Sequence, residues 1–265
     1  MHLEEVRTYV TVPPTGIGGS FWVFVEIDTD SGITGVGECY GVPFSGDLVE
    51  SMVADTFERF VKGEDPHRIE TLYRRAYSAG FSQRPDLSMM GVFSGIEMAI
   101  WDILGKVHNV PVYELLGGRF HDRLRTYSYL YPTTVDNFGN AAVGSSDVYH
   151  DGDAAAECAL RYLDMGFTAI KQDPVGPYSF QGGRELSLIE LDRAEYSVRR
   201  IREAVGDRAD ILFGTHGQMT TGSAIRLAKR LEPYDPLWFE EPCPPDQTGG
   251  IAQVAANTAI PIAAG

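Results

Sequence analysis

Two short apolar runs end in side chains that can transfer protons or bind a metal ion. His216 follows the apolar part of the first run, residues 211–218, and Glu240 ends the apolar part of the second, residues 237–242. Apolar runs that stop at polar residues are typical of buried parallel strands whose carboxyl ends open into a site. Helical spacing between the runs predicts strand, helix, strand, with His216 and Glu240 at neighbouring strand ends.

Each of these residues also has a simpler interpretation. His216 could be a hydrogen-bonded core histidine, but its position at a strand end favours an acid–base or ligand role. Glu240 could be a surface carboxylate, but hard divalent cations prefer carboxylate oxygens. Glu241 follows directly and should point the opposite way along the strand, so we predict a structural salt bridge for it.

Lys171 and Asp173 form a further candidate pair at the end of an earlier apolar run. Side chains two residues apart lie on one face of a strand, so the two should face the same side. The simpler interpretation is a lysine that extends its charge from the rim of the sheet into water.

The pattern of predicted helices and strands that must position these residues changes near residue 120. Before it, residues 20–28 and 33–39 alternate like the strands of a hairpin, and helical spacing follows at 47–61 and 66–79. Ser94 and Glu97 have the spacing of a capping box and predict a helix start. After it, strands alternate with helices, which predicts a parallel sheet, and Asp192 with Glu195 predicts another helix start. We therefore predict domains at residues 1–120 and 121–265.

Composition excludes several classes of function. A net charge of −15 argues against a nucleic-acid partner and fits either an ordinary acidic protein or one kept soluble at high salt. We find neither an apolar run long enough to span a bilayer nor a signal peptide, so we expect no membrane association. Three widely spaced cysteines suggest no disulfide framework, and a reducing cytoplasm is the expected location.

Several stretches together resemble the enolase superfamily, and more narrowly the mandelate racemase/muconate lactonizing enzyme group. Within that group they look most like the acid-sugar dehydratases of the galactonate and mannonate type. The resemblance covers essentially the whole chain and is strongest in a long helix of the N-terminal half. The stretches are residues 94–106 (SGIEMAIWDILGK) with Pro111 and 115–118 (LLGG), then 169–174 (AIKQDP), 238–242 (WFEEP) and 260–265 (IPIAAG).

The resemblance implies an α/β protein with an N-terminal α+β capping domain followed by an incomplete (β/α) TIM-type barrel. It also implies Mg²⁺-assisted removal of the proton next to a carboxylate, with an enediolate stabilised by the metal. Lys171 and Asp173 match a pair that holds substrate or acts as base. Of three acidic metal ligands, Glu240 matches the second. Gly214 occupies the position of the first metal ligand, where His216 could serve instead. The third metal ligand would follow Gly265.

The leading hypothesis is therefore a lyase that dehydrates a sugar acid. An isomerase, either an epimerase or a cycloisomerase acting on a sugar-acid derivative, would share the first proton abstraction. A catalytically silent, C-terminally truncated chain is the third hypothesis. For a truncated chain we expect weak Mg²⁺ binding, no dehydratase activity, and self-association into a homo-oligomer through an unpaired strand edge.

Overall fold

A computed structural model describes residues 1–12, 21–40, 42–132, 147–178 and 183–265. The chain divides into two compact units, Met1–Arg123 and Leu124–Gly265, each considered by itself below. Residues 11–19 and 133–152 are rich in glycine and polar residues and predict loops that would set substrate specificity, and they fall for the most part outside the described residues. Their described ends join regular elements, with Thr11 ending a strand and Gly152 beginning a helix.

The first unit begins with an antiparallel sheet in the order β1-β2-β3. In β2 alternate side chains are buried, among them Val23, Val25 and Ile27, as the period of two in the sequence predicts. The backbone of Thr29 bonds to Ile33 and closes the turn, so the predicted hairpin is confirmed. The strands are β1 (Leu3–Thr11), β2 (Trp22–Thr29) and β3 (Thr34–Cys39).

The predicted helix start at Ser94 is wrong. The helix begins seven residues earlier, where the carboxylate of Asp86 accepts hydrogen bonds from the backbone of Ser88 and Met89. Ser94 lies inside the helix, and its hydroxyl donates to the carbonyl of Gly91 at 2.8 Å. Asp86 is the cap because a capping residue needs a non-helical backbone conformation. Asp86 has such a conformation, whereas Ser94 does not. The helices of this unit are α1 (Gly46–Phe60), α2 (Ile69–Ser78), α3 (Leu87–His108) and α4 (Val112–Leu115), with 3₁₀ turns at Pro66–Arg68 and Phe81–Gln83.

Helix α3 is long and apolar enough to cross a membrane by length and composition, which the sequence analysis did not anticipate. Its position explains this composition. Ile96, Ile100 and Ile103 are fully buried in one cluster with the inward side chains of β2 and helices α1 and α2. Such a helix is the core helix of its unit, with one face packed against apolar neighbours.

Among the described residues of the second unit, five parallel strands lie in chain order, β4-β5-β6-β7-β8, with helices between them. The alternation of strands and helices predicted from the sequence is confirmed. Ile170, Phe213 and Phe239 are fully buried at the centre of the unit. The strands are β4 (Ser128–Tyr129), β5 (Ala169–Gln172), β6 (Asp210–Gly214), β7 (Trp238–Glu240) and β8 (Ile262–Ala263).

One helix start in this unit was also predicted wrongly. Helix α6 begins after Ser187, which forms the capping box with Glu190, whereas Asp192 and Glu195 lie within the helix. There the two acidic side chains form ion pairs with Arg230 on the following helix. The helices are α5 (Gly152–Asp164), α6 (Leu188–Val205), α7 (Thr221–Leu231) and α8 (Thr248–Ala256), with a 3₁₀ turn at Glu232–Tyr234.

Candidate active site

An ion pair joins the carboxyl ends of β5 and β7. Lys171 Nζ contacts Glu240 Oε1, although the two residues are 69 positions apart in the chain. The second carboxylate oxygen of Glu240 accepts a hydrogen bond from Trp238 Nε1 at 2.9 Å. Only 6% of the Lys171 side chain is exposed, and its ammonium lies over the rings of Tyr127 and Tyr129, 5.7 and 5.4 Å from the centroids. The lysine is therefore held inside the unit and does not extend into water.

Gly214 lies at the end of β6, the strand between β5 and β7. Because it has no side chain, it leaves the space that Lys171 fills. Strand register pairs Gly214 with Glu240. A Cβ atom built on Gly214 would lie 2.5 Å from Lys171 Cε, 3.1 Å from the Tyr129 hydroxyl and 3.2 Å from Asp173 Oδ1. Real Cβ atoms do not approach other heavy atoms this closely, so a side chain here would displace the lysine.

A second polar group lies next to this pair. The hydroxyl of Tyr129 donates a hydrogen bond to Asp173 Oδ1, and His216 Nε2 lies 3.3 Å from Asp173 Oδ2. The Tyr129 hydroxyl is also 3.5 Å from His216 Nε2. The Asp173 side chain is 5% exposed and that of His216 is 39% exposed. The aspartate thus anchors an imidazole that can reach a bound molecule.

Burial and hydrogen bonding change the acidity of all three groups. Burial raises the pKa of Asp173, against the opposing effect of its bond to His216. The hydrogen bond to Asp173 raises the pKa of His216 above the usual range for imidazole. Burial, together with the charge of Asp173, raises the pKa of Tyr129, so the phenol keeps its proton.

Glu241 also lies beside His216, against the prediction that it points away. Its Oε2 is 3.8 Å from His216 Nδ1. Strand alternation fails because both residues have left the strands, with backbone φ angles of 49° for Glu241 and 51° for His216. The Thr215 hydroxyl donates to the carbonyls of Glu240 and Glu241 at 3.1 and 2.8 Å, which holds the two strand ends together.

An open cavity of about 410 Å³ borders His216 and Glu241. Tyr178 forms part of its wall, with its ring centroid 6.2 Å from that of the imidazole. Gly217 and Pro245 complete the lining. A small polar molecule in this cavity would meet one imidazole and one carboxylate directly.

The structure brings the four predicted site residues, Lys171, Asp173, His216 and Glu240, to one end of the sheet. They form two contacts, Lys171 with Glu240 and Asp173 with His216. The sequence analysis missed Tyr129 and Trp238. Trp238 lies two residues before Glu240 and so shares its face, a signal that could have been used. Tyr129 gave no comparable signal, because its partners lie 44 and 87 positions away.

The arrangement does not fit a Mg²⁺ cage. Among the described residues no group of three or more His, Cys, Asp or Glu side chains could hold a metal ion. Glu240, the expected ligand, already receives a donor on each oxygen, and His216 directs Nε2 at Asp173. Mg²⁺ requires several oxygen ligands in near-octahedral geometry, which this donor set does not supply.

Two family models match the chain. Residues 5–117 match the mandelate racemase/muconate lactonizing enzyme N-terminal domain, and residues 154–265 match the enolase C-terminal domain-like family. Among solved structures, a protein from Burkholderia SAR-1 assigned to this group is 56% identical, with a TM-score of 0.92, and the match covers 100% of this chain and 64% of that one. A protein from Labrenzia alexandrii DFL-11 assigned to the same group is 50% identical, with a TM-score of 0.91 and coverage of 100% and 68%.

A curated relative is the D-galactonate dehydratase of Xanthomonas oryzae pv. oryzae (strain PXO99A), 35% identical over 271 residues. The D-xylonate dehydratase of Haloferax volcanii is 34% identical over 261 residues. These matches cover 100% and 96% of this chain but 61% and 58% of the relatives, so the chain spans about three-fifths of their length.

A sheet-and-helix unit followed by parallel strands with acid–base groups at their carboxyl ends defines an enolase-type architecture. The chain belongs to the mandelate racemase/muconate lactonizing enzyme family. Its first unit is the α+β capping domain, and its second is an incomplete (β/α) barrel in which the part that the structure describes holds five strands. The family is one of enzymes, and its members similar to this chain include acid-sugar dehydratases.

Proposed function

We propose that this chain belongs to a lyase that dehydrates a sugar acid. In this reaction a base removes the proton on the carbon next to the carboxylate. The hydroxyl on the next carbon then departs as water, with a proton supplied by an acid. The resulting enol takes up a proton on carbon and becomes a 2-keto-3-deoxy acid. The D-galactonate and D-xylonate dehydratases among the relatives support this class of substrate.

The observation that carries the proposal is the pairing of a partly exposed imidazole with a buried carboxylate. His216 borders an open cavity, while Asp173 lies behind it and holds its Nε2 side. Acid–base catalysis is most effective when the pKa of the group lies near the working pH. The pKa of His216 is raised by its bond to Asp173, which favours uptake of a proton by the imidazole.

The other site residues take supporting roles in this proposal. Tyr129 stays protonated and donates to Asp173, which fixes the carboxylate in the orientation that His216 needs. Lys171 supplies positive charge where a substrate carboxylate and its enediolate form would carry negative charge. Glu240 holds that lysine in place. Together they position and stabilise charge, while His216 transfers the proton.

Magnesium supplies oxyanion stabilisation in the chemistry that the family resemblance implies. The described side chains do not form a site for it, so the steps above use only groups of this chain. We also propose a cytoplasmic location, supported by free, buried cysteines. The expected homo-oligomer is likewise a proposal.

The test is turnover of a panel of aldonic acids, including D-galactonate, D-xylonate and D-mannonate, by the full-length protein. Formation of a 2-keto acid would be followed by reaction with semicarbazide, and products would be identified by NMR in D₂O. His216→Asn should lower kcat by roughly 10²- to 10⁴-fold, the range for loss of a general acid–base group.

A matched control is His67→Asn. His67 is a half-exposed histidine of the first unit whose ring also bonds to an aspartate, Asp65, at 2.8 Å. It should leave turnover unchanged. Exchange of the α-proton with solvent without loss of water would favour an epimerase instead. Unchanged kcat in His216→Asn would remove that residue from the mechanism.

A further inference from the structure

We propose that Lys171 is a built-in cation of this site and occupies, on Glu240, the position that a divalent metal ion would need. Gly214 is the residue that admits it. This inference concerns the same strand ends as the proposed function and rests on that function for its catalytic meaning. Whether Lys171 keeps a metal ion off Glu240 can be tested without any substrate.

Both carboxylate oxygens of Glu240 already accept a donor from the protein. One carboxylate oxygen contacts the ammonium of Lys171, and the other accepts from Trp238 Nε1. Trp238 lies two positions before Glu240 on β7, so this second bond is fixed by the strand itself. A metal ion on Glu240 would have to compete with these donors for the carboxylate oxygens.

Lys171 is held too firmly to leave without cost. Its side chain is 6% exposed, and the rings of Tyr127 and Tyr129 lie within cation–π distance of its ammonium. A buried ammonium that lost its carboxylate would be an unpaired charge in a region of low dielectric. A divalent cation entering beside it would also meet like-charge repulsion. The lysine and a metal ion are therefore alternatives at this position.

The absence of a side chain at position 214 is consistent with this choice. An acidic residue there would bring a second metal-binding carboxylate, but even its Cβ would lie 2.5 Å from Lys171 Cε. The lysine would have to move away from Glu240 to accommodate it. Glycine at 214 therefore supplies no carboxylate ligand and leaves room for the ammonium.

The ammonium can contribute electrostatic stabilisation of its own. It has three donor hydrogens, and the ion pair with Glu240 uses one of them. A substrate oxygen that gains negative charge as the α-proton leaves would find a fixed positive donor. The ligand chemistry is thus a carboxylate-bearing polyol whose developing oxyanion is neutralised by lysine instead of a metal.

Mn²⁺ binding followed by electron paramagnetic resonance tests the inference in the full-length protein. The wild type should show no Mn²⁺ binding that depends on Glu240. Lys171→Met keeps the length of the side chain, removes the ammonium and should increase Mn²⁺ affinity by at least about tenfold, within the range typical of coupling between two ligands. Adding Glu240→Gln should abolish the gain. Lys106→Met, at an exposed lysine paired with Asp102, is the matched control and should change nothing.

Gly214→Asp provides an independent variant, because it displaces the lysine by contact and adds a carboxylate. It should also gain Mn²⁺ affinity. Wild-type binding that is lost in Glu240→Gln would overturn the inference, as would the lack of a gain in folded Lys171→Met and Gly214→Asp. A protein that turns over no sugar acid would refute the proposed function and leave the Mn²⁺ comparison intact.

Discussion

The two units of the chain each contain a glycine against which another group packs closely, with different consequences. In the first unit, a Cβ on Gly37 of β3 would lie 2.0 Å from the backbone oxygen of Gly95 in α3. In the second, a Cβ on Gly214 would meet the side chain of Lys171. The first contact brings helix and sheet backbones together, while the second makes room for a charged side chain. Glycine thus serves packing in one unit and a polar site in the other.

The two units also differ in how deeply their charged side chains are buried. Arg7 forms ion pairs with Glu26 and Asp28 on the surface of the first sheet, where the arginine side chain is 39% exposed. Lys171 and Asp173 lie almost fully inside the second unit. Surface pairs contribute little to stability, whereas buried charges carry a desolvation cost. The second unit therefore buries charged side chains, whereas the arginine on the sheet of the first unit stays partly exposed.

The largest expected effect follows from substituting Asp173 with Asn. The amide still accepts from Tyr129 but no longer holds a positively charged imidazole, so kcat should fall roughly 10²- to 10⁴-fold. Stability should change by no more than about 1 kcal/mol, because the substitution also removes the cost of a buried charge. Steady-state kinetics and urea unfolding measure the two effects. Asp28→Asn in the first unit is the control and should leave kcat unchanged.

Gly37→Ala should cause the largest loss of stability without touching the site. The new methyl group collides with the backbone of α3, which cannot rotate away as a side chain can. Unfolding free energy should fall by about 3 kcal/mol, at the upper end of the range for overpacking. Urea denaturation of folded, soluble variant measures it. A change below the error of the experiment would mean that α3 and β3 separate easily.

Gly222→Ala should have the opposite sign. Gly222 lies in α7, and a Cβ there would meet no atom within 4 Å. Alanine restricts the unfolded chain and fits the helix, so stability should rise by roughly 0.4–1 kcal/mol. The same urea titration measures the gain. A loss of stability in this variant would contradict the prediction.

The smallest effect concerns the surface pair of the first unit. The hydrogen bond from Arg7 lowers the pKa of Asp28 below its usual value. A lowered pKa stabilises the fold above the unfolded value, and this contribution is lost as pH falls through the folded value. Arg7→Gln should therefore reduce the urea midpoint slightly at pH 7 and by a smaller amount at about pH 3, below the ordinary Asp value of about 3.9. An equal difference at both pH values would assign the effect to packing of the arginine stem.

Sequence reasoning alone determined the order of elements and the positions of the chemical groups. The alternation of Val23, Val25 and Ile27 fixed a strand, because side chains in a strand point to opposite faces in turn. The apolar runs before His216 and Glu240 located both residues at strand ends. These features depend on neighbours within a few positions, which a single sequence displays.

Helix starts and the partners of the site residues were decided by tertiary structure. Ser94 has a capping-box sequence, but Asp86 caps the helix because packing extends α3 seven residues further. Glu241 turned toward His216 because the chain leaves the strand with a positive φ. The ion pair of Lys171 with Glu240 joins residues 69 positions apart, across a gap that Gly214 leaves open. Such contacts depend on which strand ends meet in space. The spacing of residues along the chain does not show which ends meet.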